Sequence, residues 1–155
     1  MHPSTYEKDR VAGRRIGLAI IATCVVMLAG PANAASKPKQ FLAIINGPQE
    51  TPPNGSPAQG VAHLTFDGTT KMLCYSISFQ GLPSAEILAH IHGPALPGTA
   101  AGILFPLPLG GAKSGCAGPL TSDQSSDLLK NLLYINVHSV GFPGGEIRGQ
   151  ILRIK

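Results

Sequence analysis

Short runs that alternate apolar and polar residues, each closed off by glycine or proline, constrain this chain more than any other feature. Such runs put every second side chain on one face of an extended strand, whereas an amphipathic helix repeats near 3.6. Residues 41–46, 60–66, 71–80, 86–92, 102–107, 133–139 and 146–154 read as strands, about seven in all. In the third, Leu73, Tyr75, Ile77 and Phe79 share one face, and Met72, Cys74, Ser76 and Ser78 the other. Residues 47–59 carry four prolines and two glycines and read as a loop, and Asp67-Gly68 marks a hairpin turn. Residues 110–119 read as a glycine-rich loop holding Cys116. Residues 121–133 read as the one helix, capped by Thr121 or Ser122 and striped by Leu128, Leu129, Leu132 and Leu133. The pattern predicts an all-β fold: an antiparallel β-sandwich or Greek-key-like barrel with about seven strands and one short helix.

Ahead of these runs, the first 34 residues read as an export signal peptide. Lys8, Arg10, Arg14 and Arg15 form a basic head, and residues 16–30 are uncharged and apolar. Ala32-Asn33-Ala34 offers the small-x-small pattern that signal peptidase accepts. The apolar run, about 15 residues, is short of the roughly 20 that span a bilayer as a helix. Residues 35–40 read as a short linker and residues 41–155 as one domain. The expectation is an exported protein, periplasmic or secreted, with no membrane span in the mature chain.

The whole chain carries +4 at pH 7, but the signal holds four basic residues and two acids. Eight basic residues and six acids remain, a charge of about +2 with no basic cluster, which argues against nucleic acid as a partner. Cys24 lies in the signal, and an oxidising compartment would join Cys74 to Cys116 in a disulfide. No Gly-x-Ser-x-Gly elbow, phosphate-loop lysine or paired carboxylate is present, so the sequence reads as non-catalytic.

Polar chemistry is concentrated in two phrases, AHIHGPA at residues 89–95 and YINVHSVGFPGGEIRGQI at residues 134–151. Ile87, Ala89 and Ile91 point one way, and Leu88, His90 and His92 the other. Ile135 and Val137 likewise oppose Tyr134, Asn136 and His138, while Ile147, Gly149 and Ile151 oppose Glu146, Arg148 and Gln150. One face therefore collects three imidazoles, a carboxylate and a guanidinium. Two readings of that face stand side by side. In one, Asn136, Glu146 and Arg148 join the histidines in a structural hydrogen-bonded layer, with Glu146 and Arg148 paired or bridging strands. In the other, His90, His92 and His138 are metal ligands for Cu or Zn, with Glu146 or a water as the fourth. Convergence of the three imidazoles within about 4–5 Å discriminates for metal, and a backbone carbonyl locking His92 discriminates against it. His63 reads as an isolated histidine, and Glu50 as fixing its proline-rich loop to the strands.

The phrases at residues 41–60, 90–95 and 136–151, in that order, resemble the CHRD domain, named after chordin and found in many bacterial exported proteins. The resemblance implies an extracytoplasmic all-β module with no established catalytic activity. It adds a preference for a non-catalytic binding or structural role, with an unknown extracytoplasmic protein or cell-surface partner. His-x-His on a strand is also similar to copper–zinc superoxide dismutase, but that dinuclear site needs more histidines than the four of the mature chain. The surface to examine for a protein partner is the loop and strand at residues 96–109.

Overall fold

The computed structural model describes residues 37–154. The expected signal, residues 1–34, lies outside the described residues. Three long strands, β1 (Lys39–Asn46), β2 (Gln59–Phe66) and β3 (Leu73–Gln80), form a meander in which every residue of β2 is paired on both sides. The chain then crosses to a hairpin of β4 (Glu86–His92) and β5 (Ile103–Pro106). It returns to β3 as β6 (Ala112–Ala117), runs through helix α1 (Ser122–Leu129), and ends in β7 (Tyr134–Ser139), β8 (Ile147–Gln150) and β9 (Leu152–Arg153). The order in space is β5-β4-β7-β8-β1-β2-β3-β6, with β9 also on β1 and every pairing antiparallel.

The sheet curls into a nearly closed barrel because one face of almost every strand is apolar. Phe41, Ile45, Leu64, Phe66, Leu73, Ile77, Ile91, Ile135 and Ile147 are all 2 % exposed or less and pack into one core. Burying a side chain of this size is worth about 1.5–3 kcal/mol, so the alternation dictates which face turns inward. The opening of the curl is held by polar contacts. Lys113 of β6 reaches across to Glu86 of β4, with Nζ 2.6 Å from Oε1, and also donates to the Gly110 carbonyl. The Gly110 N–H donates to the other Glu86 oxygen at 2.6 Å. On either side of the opening, the Leu107 N–H donates to the Ala89 carbonyl, extending the β4–β5 pairing, and the Phe79 N–H to that of Gly111, extending β3–β6.

Two strands separate this arrangement from the seven expected. Residues 112–117, read as loop, form β6, although A-K-S-G-C-A has no strong strand former. Pairing with β3 holds it there, with Cys116 directly opposite Cys74 and the two joined by the expected disulfide. The last expected strand is interrupted at Ile151, whose N–H donates to Leu133 and whose side chain is fully buried. It therefore appears as β8 and β9, both in one register along β1. The helix is shorter than expected. Thr121 caps it in a reciprocal box with Gln124, but Asn131 adopts the left-handed conformation, φ +62°, and turns the chain toward β7.

Candidate metal centre

On β4, β7 and β8 most of the polar side chains opposite the core are buried, whereas Leu88 on the same face of β4 is 49 % exposed and His138 is half-buried. The loops 47–58 and 93–102 fold over the buried ones, so His90, His92, Asn136, Arg148 and Gln150 are all 8 % exposed or less. Buried polar groups require partners. Arg148 donates through Nη1 to the Thr51 hydroxyl at 3.1 Å and through Nη2 to the Leu96 carbonyl at 3.3 Å, tying one residue of each loop to β8. Its guanidinium lies 3.5 Å over the Tyr134 ring, and that ring stacks on His92 at 4.9 Å with 6° between planes. The Tyr134 hydroxyl accepts the Ala101 N–H at 3.0 Å. Gln150 donates to Ala95 and Asn131, fixing the same loop and the turn after α1.

The expected pairing of Glu146 with Arg148 is not formed. Glu146 is fully buried and turned to the first loop, where its Oε1 accepts from the Ser56 hydroxyl at 2.6 Å and its carbonyl from Asn54. The carboxylate that acts on Arg148 is Glu50, which arrives from the loop and accepts from Asn136 Nδ2 at 2.5 Å. Fixing the loop was the reading of Glu50; its place beside the histidines was not. Burial pushes its pKa from 4.5 up to about 7, against the lowering effects of the Thr51 N–H, the Arg148 charge and Asn136. Gly145 makes room for this contact: at φ +132° a side chain is strained, and a Cβ there would lie 2.9 Å from the carboxylate.

The three imidazoles converge. Strand parity places His90 and His92 on one face of β4, and the register Leu88↔His138 sets His138 beside them on the adjoining β7. One ring nitrogen from each lies within 4.8 Å of the other two. His90 Nδ1 and His138 Nε2 are 3.4 Å apart, close to the ~3.3 Å that two imidazole ligands at about 2.0–2.1 Å subtend in a tetrahedral shell. His138 Nδ1 is 3.0 Å from the Pro143 carbonyl and His92 Nδ1 is 3.1 Å from that of Ala101. A carbonyl only accepts, so both rings carry their proton on Nδ1 and present a lone pair at Nε2. The carbonyl on His92 thus occupies one nitrogen and frees the other; His92 Nε2 is buried with no hydrogen-bond partner. Desolvation, followed by the neighbouring His138, holds His90 below the usual imidazole pKa. Desolvation also lowers His92, partly opposed by its Ala101 bond.

Glu50, His92, Tyr134, Asn136, His138 and Arg148 also border one cavity of about 140 Å³. Among the described residues, the cluster that could hold a metal is His90, His92 and His138, and Glu146 is not a member. His63 stands exposed on β2, outside it. Leu96, Ile103 and Leu109 of the 96–109 segment are 66, 58 and 62 % exposed. No described helix is long and apolar enough to cross a membrane. Tyr134 stood on the correct face by alternation, but its stacking between His92 and Arg148 depends on the register of β7 against β4 and β8, which alternation does not set.

A family model described as the CHRD domain matches residues 41–151. No curated protein and no solved structure matches significantly.

Proposed function

The chain belongs to the CHRD domain family, and from that premise we propose that it is an exported module that binds a transition-metal ion, Zn(II) or Cu(II), through His90, His92 and His138. The observation that carries this reading is the convergence of three imidazoles, one ring nitrogen of each within 4.8 Å of the other two, with the far nitrogens of His92 and His138 held by backbone carbonyls. A second-sphere acceptor of this kind fixes tautomer and orientation in metal-ligating histidines. His92 Nε2, a buried acceptor without a hydrogen-bond partner in the protein, supports the same reading. Imidazole ligands without thiolate suit Zn(II) and Cu(II).

The test is calorimetric titration of the mature, untagged, chelator-treated protein with Zn(II) and with Cu(II), alongside His92→Ala. One ion per chain, bound more tightly than micromolar and at least ~100-fold more weakly by the variant, is the expected result. Affinity no tighter than micromolar, or equal affinity in the variant, overturns it. The exposed Leu96, Ile103 and Leu109 support a second role as a docking surface for an extracytoplasmic or cell-surface protein.

A further inference from the structure

The outward faces of the meander strands differ. β3 turns Cys74, Ser76 and Ser78 outward, small side chains that suit a sheet face meeting water. β1 breaks that pattern: its outward side chains include Leu42 and Ile44, and the pairing Leu42↔Leu152 sets an outward leucine of β9 directly beside them. Ile154 lies two residues further on, where its N–H donates to the Gln40 carbonyl at 2.9 Å. Val61 of β2, half-buried, stands opposite Ile44. Ile44, Leu152 and Ile154 are 54, 51 and 45 % exposed, and with Leu42 they line one cleft of about 270 Å³. The core does not account for them, because Phe41, Ala43 and Ile45 supply the inward side of β1. A continuous aliphatic face on the outside of a barrel marks an interaction surface.

What that face meets follows from the charges at its margin. The cleft adjoins a second one, bordered by Lys37 and Lys39, and Arg153 and Ile154 line both. The sequence holds no basic run; the antiparallel pairing of β9 with β1 gathers these residues, with Arg153 opposite Phe41 near the start of β1. The Arg153 N–H also donates to the Asn131 side chain at 2.8 Å, which brings the neighbouring, exposed Lys130 toward the same end. Among the described residues, no acid borders either cleft. Glu50 and Glu146 are buried, and Glu86 is paired with Lys113. We propose that this face docks on a membrane surface carrying anionic lipid, with Leu42, Ile44, Leu152 and Ile154 entering the headgroup boundary and Lys37, Lys39 and Arg153 beside lipid phosphates. A small aliphatic patch or a few basic groups alone adsorb marginally, and the two together hold a protein on such a surface. A second copy fits less well, because a two-fold pair sharing this face offers the basic margin no opposite charge. The docking needs no metal and no membrane span.

The experiment is flotation of the mature, untagged protein with vesicles of phosphatidylcholine alone or containing ~30 % phosphatidylglycerol, in about 50 and about 500 mM NaCl. Wild type is compared with the double variants Lys37→Gln/Arg153→Gln and Ile44→Ser/Leu152→Ser. All four positions are exposed, and folding is checked by thermal melts. The chain has no tryptophan, so Ile44→Trp places a single fluorophore on the face. The expected result is binding to the anionic vesicles at low salt, and binding at least ~10-fold weaker on phosphatidylcholine or at high salt. Each basic residue near such a surface is worth about five-fold in affinity, so both double variants should bind at least ~10-fold more weakly. The emission of the introduced tryptophan should shift to the blue on the anionic vesicles. No binding to those vesicles, equal binding to both lipid compositions, or full binding by a folded Ile44→Ser/Leu152→Ser protein overturns the proposal. So does an unshifted tryptophan on bound protein, or a dimer in sedimentation that the Ile44→Ser/Leu152→Ser change dissolves.

Discussion

Glu50 enters the imidazole layer from a loop 86 residues away in sequence from its partner Asn136, and its burial has a measurable consequence in the metal-free protein. Its carboxyl, raised from 4.5 to about 7 by desolvation, keeps in the folded state a proton that the unfolded chain releases at lower pH. A raised carboxyl pKa contributes stability that is fully present below about pH 4.5 and lost as pH rises through about 7. The shift corresponds to at most about 3 kcal/mol. The stability of wild type relative to Glu50→Gln should therefore fall across this window in urea denaturation of chelator-treated protein. A difference independent of pH between 4.5 and 7.5 would show that Glu50 is already ionised in the fold. The histidines work in the opposite direction: with His90 and His92 held below the usual imidazole range, they stay neutral at pH 7 and become charged only on acidification. Comparing wild type with Glu50→Gln cancels that contribution to first order, which is why the difference and not the absolute stability is the quantity to follow.

Strands β4 and β6 face each other across the opening of the barrel, and Lys113 is the side chain that joins them. It is 4 % exposed, salt-bridged to Glu86, and lies 4.9 Å from the Phe79 ring. Lys113→Met keeps the apolar stem but strands a largely buried carboxylate, which costs about 3 kcal/mol. Glu86→Met added to it should recover part of that loss, because no uncompensated ion then remains. A Lys113→Met protein within 0.5 kcal/mol of wild type in urea melts would remove the clasp from this description. The same strand marks where the sequence stops being readable. Alternation identified the other strands because each buries one apolar face, but β6 has little apolar surface of its own and exists through its pairing, its disulfide and this lysine. Alternation also placed His90, His92, Tyr134, Asn136, His138 and Arg148 on one side of their strands. It said nothing of the register Leu88↔His138 that brings the imidazoles together. Nor did it show that Glu146 turns to Ser56 while Glu50 takes the place beside Arg148, because loop paths follow from long-range packing and not from local period.

At the level of the molecule, the described chain is a barrel with an apolar inside and, on one wall, a second buried layer that is polar. The proline-rich loops close over that wall and convert a row of alternating strand residues into a desolvated site. Building such a layer carries desolvation costs that an apolar exterior would not, and on the proposed metal reading a cation on the imidazoles would offset part of them by taking up the lone pair of His92 Nε2. The most direct measurement is anomalous diffraction at the zinc edge from crystals of the zinc-loaded protein. The account predicts one peak per chain, about 2.0–2.1 Å from a nitrogen of each of His90, His92 and His138. A peak at His63, one bound by fewer than three of these imidazoles, or none in protein shown to be folded, would contradict it.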